Sequence, residues 1–93
     1  MNENDFIEFC NRCFDDVFDV LDHGAEKHGG YMSFAEIEDF DKTNIEHIIG
    51  HLERHADGDY LDEDTCRPNL INVISRCLMA MYRYEDETRG HFE

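Results

Sequence analysis

The sequence predicts an all-α fold, a small helical bundle of three long helices plus one short helix. Three observations predict it. Apolar residues recur at three- and four-residue steps in three separate segments, no segment shows strand-like alternation, and the connections between them are short and polar. Ninety-three residues make one domain, 1–93, with a single modest core. Residues 1–4 and 86–93 are expected to fray.

The first long helix covers "FIEFCNRCFDDVFDVL", residues 6–21, with Phe6, Cys10, Cys13, Phe14, Val17 and Leu21 on one stripe. It is expected to stop near Asp22, because Gly24 suits the left-handed residue after a helix end. Ser33 with Glu36, and Thr43 with Glu46, match the capping box, in which side chains satisfy two orphan backbone N–H groups. The first box opens the short helix "SFAEIEDF". The second opens "NIEHIIGHLERHA", whose stripe is Ile45, Ile48, Ile49 and Leu52, and Gly58 closes it. After the acidic loop "DGDYLDED", Pro68 stands in the first turn of the last helix, where a missing N–H costs little. On that helix Leu70, Val73, Ile74, Cys77, Leu78 and Met81 are expected to face the core, with Asn69, Asn72, Arg76 and Arg83 at the margins.

Composition narrows the function classes. Hydrophobic residues at 41% are enough to fold, although 33% of residues are charged and the mean hydropathy is -0.65. Twenty-three acids against eight bases leave a formal charge of -15, which repels nucleic acid and anionic membranes. Cations, basic protein surfaces and ligands carried by a metal are the partners that charge admits. Nothing approaches a membrane span, and "MNENDFIEF" lacks the features of a signal peptide, so a cytoplasmic location is expected, with Cys10, Cys13, Cys66 and Cys77 as thiols.

Several constellations bear on chemistry. Cys10 and Cys13 form a CxxC, but in mid-helix among phenylalanines, where packing explains them better than zinc. Asp57, Asp59, Asp62 and Asp64 resemble a calcium loop only loosely: Asp62 occupies the glycine position and Pro68 that of the bidentate glutamate. Asp59 and Asp62 remain candidates for magnesium, which needs only one or two carboxylates beside phosphate oxygens; the plainer reading is a solvated loop. His47, His51 and His55 stand four residues apart. By helical wheel His55 falls near Leu52 and Ile48 and is expected to point into a cleft, whereas His47 and His51 drift to the polar side. A third ligand at i+8 does not easily join a tetrahedral zinc site. Asp15, Asp19 and Asp22 share a face of the first helix, an arrangement that gathers magnesium in all-α nucleotide pyrophosphohydrolases; Glu36 and Asp39 repeat it. In a chain this acidic, a solvated face produces the same pattern.

Taken in order, the motifs from Val17 to Met81 resemble a family of small phage-type proteins, the N-terminal domain of dATP/dGTP diphosphohydrolases. "HGAEKHGG" supplies its Gly-Ala-x-Lys-x-Gly turn through Gly24, Ala25, Lys27 and Gly29. "LERHADGDYLDED" supplies its Arg-His pair, Arg54 and His55, and its acidic loop, Gly58 and Asp59. The family's Ser/Thr-Gly-x-x-His-Leu-x-His stretch corresponds to "TCRPNLIN", where Cys66 replaces the glycine and Asn69 and Asn72 replace both histidines. The resemblance implies magnesium-assisted attack of water on a purine deoxynucleoside triphosphate. His55 and Asp59 are then the candidate catalytic residues, and Asp15, Asp19, Asp59 and Asp62 the candidate metal ligands.

Lys27 on its glycine-flanked turn and Arg54 in acidic surroundings suit phosphate, and Asn69 and Asn72 suit a base edge or a water. Asparagine cannot act as a general acid or base, so the two replacements argue for binding without turnover, or for altered chemistry. The unspecific reading pairs Lys27 and Arg54 with neighbouring carboxylates on the surface. A site of this kind in a small bundle implies a homo-oligomer. The competing expectation is a non-enzymatic acidic protein that imitates nucleic acid and binds a basic host or anti-phage defence protein.

Overall fold

The computed structural model describes residues 2–92, and the side chains of all of these except 35, 36 and 86–92. It is all-helical: α1 runs Glu3–His28, α2 Phe40–Ala56 and α3 Asn69–Phe92. Among the described residues the sole β feature is one isolated bridge, Leu61 to Pro68. No described helix is long and apolar enough to cross a membrane.

Each boundary has a local cause, and several differ from the sequence expectation. α1 starts at a capping box formed by Asn2 and Asp5, each side chain accepting from the other's backbone N–H. It continues through Gly24 and ends where Gly29, φ 93°, donates to the Ala25 carbonyl at 3.0 Å. Gly24 is tolerated mid-helix at about 1 kcal/mol relative to alanine, and the terminal role passes to the Gly29-Gly30 pair, both at positive φ. Ser33 opens only a four-residue 3-10 turn, Ser33–Glu36, in place of the expected short α-helix; the Glu36 side chain lies outside the described ones. α2 begins at Phe40, three residues ahead of Thr43, after Asp39 in a left-handed conformation. Gly58, φ 87°, follows its end as expected. Pro68 immediately precedes α3. The tail expected to fray, 86–93, lies outside the described side chains.

α3 is the central element, packed against both α1 and α2. Its contact with α1 is close because Ser75, fully buried, donates to the Ile71 carbonyl at 3.0 Å and approaches the Val17 carbonyl at 3.4 Å. Its contact with α2 is polar. The Asn44 amide donates to the Arg76 carbonyl at 3.0 Å and accepts from the Arg76 guanidinium at 3.2 Å. The segment before α2 is held by Phe34 against Phe40 and Tyr82, and by Arg83, which donates to the Phe34 and Ile37 carbonyls and stacks over Phe40.

The expected assignment of core and surface holds in part on α1 and is largely reversed on α2 and α3. Among the described residues the buried hydrophobic side chains are Val17, Phe40 and Ile71, while Asn44, His51, Asn69, Asn72 and Ser75 are also buried. The stripe expected to fill the core leaves Phe6, Phe14, Ile45, Ile49, Leu52, Leu70, Ile74, Leu78 and Met81 exposed. Of the first-helix stripe Val17 alone is buried, with Cys10, Cys13 and Leu21 half-buried. The physical reason lies in the packing: α2 and α3 meet through bonded amides, which turns the apolar stripe of each helix outward.

Candidate functional site

The polar packing has a chemical consequence where α1 and α2 diverge over α3. A cleft of about 500 Å³ opens there, within the size range of small-ligand pockets. α1 contributes Val20, Leu21, His23, Gly24, Ala25, Lys27 and His28, α2 contributes Phe40, Thr43, Asn44, His47, His51 and Arg54, and α3 contributes Asn72, Ser75, Arg76 and Met79. Asp62, Asp64 and Thr65 of the acidic loop close one side.

The loop is shaped by its own side chains. Asp62 accepts from the Thr65 N–H at 2.9 Å and the Thr65 hydroxyl at 3.0 Å. Thr65 in turn accepts from Asn72 at 3.0 Å. Cys66 adopts φ 57°, a left-handed conformation that glycine takes without strain and cysteine does not. Arg67 ties the loop to α1 by ion pairs with Asp16 at 3.3 Å and Asp19 at 2.8 Å, and the Asp19 bond raises its already high pKa further. Asn69, fully buried, ties the loop to the start of α3: its backbone N–H donates to the Tyr60 carbonyl, and its side-chain amide donates to the Asp59 carbonyl, both at 2.7 Å.

That last bond orients the Asn69 amide and, through it, His51. With the Asn69 nitrogen committed to a carbonyl, its Oδ1 faces His51 Nδ1 at 2.7 Å and accepts the proton there in the tautomer that carries it on Nδ1. The lone pair then resides on Nε2. Arg54 Nη2 lies 2.8 Å from the same Nδ1, and a guanidinium can only donate. Nδ1 therefore serves Asn69 or Arg54, not both at once. Arg54, whose side chain is exposed, also donates from Nε to Asn69 Oδ1 at 3.4 Å and pairs with Asp62 at 3.5 Å.

The electrostatics of the cleft oppose those of the chain. Lys27, Arg54 and Arg76 line it against Asp62 and Asp64, within a protein of net charge -15. Lys27 bonds Asp64 at 3.3 Å, and with His23 it holds the exposed Asp64 carboxyl below its ordinary pKa. Arg76 is different: it forms no ion pair among the described residues, and burial lowers its pKa, partly offset by the more distant Asp62. His47 is held below the ordinary imidazole value by burial first, then by Arg76 and His51.

The candidates named from sequence divide accordingly. Lys27, Arg54, Asp62 and Asn72 line the cleft, and Asn69 stands directly behind His51. Asn69 positions other side chains and is not placed to read a base. His55 does not line the cleft; its ring packs edge-on against Tyr60 at 5.0 Å. His51, expected on the polar outside, is the buried histidine, because the amide-bonded face of α2 is the inner one. Asp59 contributes its backbone carbonyl, not its carboxylate, to the network. Asp15 and Asp19 lie away from the cleft, Asp19 paired with Arg67. Among the described residues no group of three or more His, Cys, Asp or Glu side chains is placed to hold a metal ion.

Asn44, His47, His51 and Arg76 were not among the sequence candidates. Their signal was present as polar residues at helical spacing, 44, 47 and 51 on α2 and 69, 72 and 76 on α3. No family model, curated protein or solved structure gives a significant match to this chain.

Proposed function

We propose that this cleft binds the phosphate chain of a purine deoxynucleoside triphosphate, and that the protein is a nucleotide-binding relative of the dATP/dGTP diphosphohydrolase domain. One observation carries the reading. Arg76 is a half-buried guanidinium facing the cleft without a carboxylate partner among the described residues, in a chain with 23 acids. A desolvated cation in that position favours an anion, and phosphate oxygens accept from guanidinium in the paired geometry it prefers. Arg54, which competes with Asn69 for one histidine nitrogen, gains an acceptor when phosphate arrives. The left-handed Cys66 is further support, since the family resemblance places glycine there.

The carboxylates do not fit a magnesium site made by this chain: Asp19 is engaged by Arg67, and Asp62 by Thr65 and Arg54. Magnesium would have to enter with the triphosphate. We therefore assign binding and no hydrolytic step.

Calorimetric titration with dATP and dGTP, with and without magnesium, tests the reading. Arg76→Gln keeps a hydrogen-bonding side chain and removes the charge, while the Asn44 bond to the residue 76 carbonyl survives. It is expected to weaken binding about 10- to 100-fold, the scale of one hydrogen bond to a charged group. Absence of binding by every deoxynucleoside triphosphate, or unchanged affinity in Arg76→Gln, rules the reading out. Release of pyrophosphate by the wild type would show that binding alone is too narrow.

A further inference from the structure

Building on the phosphate site proposed above, we infer that Asp64 is a built-in competitor of the anion: it occupies Lys27 and His23 on the α1 wall of the cleft and yields both to a phosphate group. His23 and Lys27 stand one helical turn apart on α1, and both line the cleft together with Asp64. From the α2 wall Arg54 pairs with Asp62 of the same loop at 3.5 Å. The acidic loop therefore spans the cleft from α2 to α1 with one carboxylate on the cation at each side.

Distances separate the tie that anchors the loop from those that occupy the cleft. Outside the cleft, Arg67 Nη2 meets Asp19 at 2.8 Å, within the roughly 2.7–2.9 Å of a charge-assisted bond. Inside it, a single oxygen of Asp64, Oδ2, faces two donors, Lys27 Nζ at 3.3 Å and His23 Nε2, where that nitrogen carries a proton, at 3.4 Å. His23 Nε2 is shielded from solvent, and no atom of the described residues completes a hydrogen bond to it. One carboxylate oxygen shared in this way leaves both contacts long. A phosphate group carries several strong acceptor oxygens and can serve the two donors separately.

Asp64 is also the carboxylate of the loop that can let go. Asp62 is fixed by the Thr65 N–H and hydroxyl, and Arg67 fastens the following residues to Asp16 and Asp19. Between these two anchors Asp64 is exposed, and its side chain has no partner among the described residues other than Lys27 and His23. Exposed ion pairs are weak, so an anion of higher charge displaces this carboxylate without dismantling the loop.

Calorimetric titration with inorganic tripolyphosphate, dATP and dGTP tests the competition, at about 0.15 M salt, where exposed charges more than about 8 Å apart are largely screened. Asp64→Asn is expected to tighten binding about two- to fivefold, the scale of one exposed ion pair. Glu63→Gln removes the same charge from a neighbouring exposed side chain that does not line the cleft, and is expected to leave affinity unchanged. Lys27→Gln is expected to weaken binding and to abolish most of the gain from Asp64→Asn. Unchanged affinity in Asp64→Asn, an equal gain in Glu63→Gln, or a gain undiminished in Lys27→Gln overturns the competition. So does failure of tripolyphosphate to bind both the wild type and Asp64→Asn. Tripolyphosphate binding that responds to Asp64→Asn, with no binding of dATP or dGTP, upholds the competitor and overturns the nucleotide reading alone; deoxynucleotide binding that ignores Asp64→Asn does the reverse.

Discussion

The inward face of α3 carries Asn69, Asn72, Ser75 and Arg76, and its outward face carries Leu70, Ile74, Leu78 and Met81. The inward set is directional. Asn69 reaches the Asp59 carbonyl and His51, Asn72 reaches Thr65, and the residue 76 carbonyl accepts from Asn44, so each contact admits few alternatives. The outward set is not directional, and its worth depends on the area taken from water. The comparison assigns the two faces different work within one helix. Polar pairing sets the register of α2 against α3 and shapes the cleft, while the apolar side chains of α3 stay exposed on the opposite face.

Substitutions on the polar side give the sharpest way to break that division. Asn69→Ala removes the bridge between the acidic loop, His51 and Arg54, leaving the Asp59 carbonyl without its donor and the buried His51 with Arg54 alone. Losing one partner of a hydrogen bond in this way costs about 1–3 kcal/mol, which is the loss expected in urea unfolding. A loss under 1 kcal/mol would mean that the amide network is incidental to the fold. Cys66→Gly is a smaller change of opposite sign. Relief of the left-handed strain, reduced by glycine's greater unfolded entropy, is expected to stabilise by about 0.5 kcal/mol, measured as a raised denaturation midpoint.

The smallest effect concerns His47 at the cleft wall. Its pKa in the folded protein lies below the ordinary 6.5. As pH falls below 6.5 the unfolded chain takes up a proton before the folded one does, so stability is full above that value and declines below it. His47→Gln should flatten this part of the stability profile below pH 6.5. A bound phosphate would favour protonated His47, so affinity for a deoxynucleoside triphosphate should strengthen over the same interval in the wild type and less so in the variant.

Much of the helical framework was legible in the residues. Three amphipathic segments, the Gly58 stop and the Pro68 start all correspond to features of the fold. Boundaries moved where two local signals competed: Gly24 against the Gly29-Gly30 pair, and Thr43 against Asp39. Three residues that line the cleft, Lys27, Arg54 and Asn72, stand out in the sequence because a cation or amide is conspicuous in an acidic chain, whereas Asp62, which also lines it, is one acid among 23. A helical wheel with Ile45, Ile49 and Leu52 at the interior turns His51 outward and His55 inward, whereas the packing buries His51 and leaves those three side chains exposed.

By itself the sequence determined which residues share a face, through the 3.6-residue period, and which segments are helices. Only the tertiary structure decided which face of each helix turns inward. Periodicity relates residues within one helix and carries no information about the neighbour that helix meets. Here the neighbours meet through Asn44 with Arg76 and His51 with Asn69, so the polar stripe makes the cleft and the apolar stripe is directed away from it.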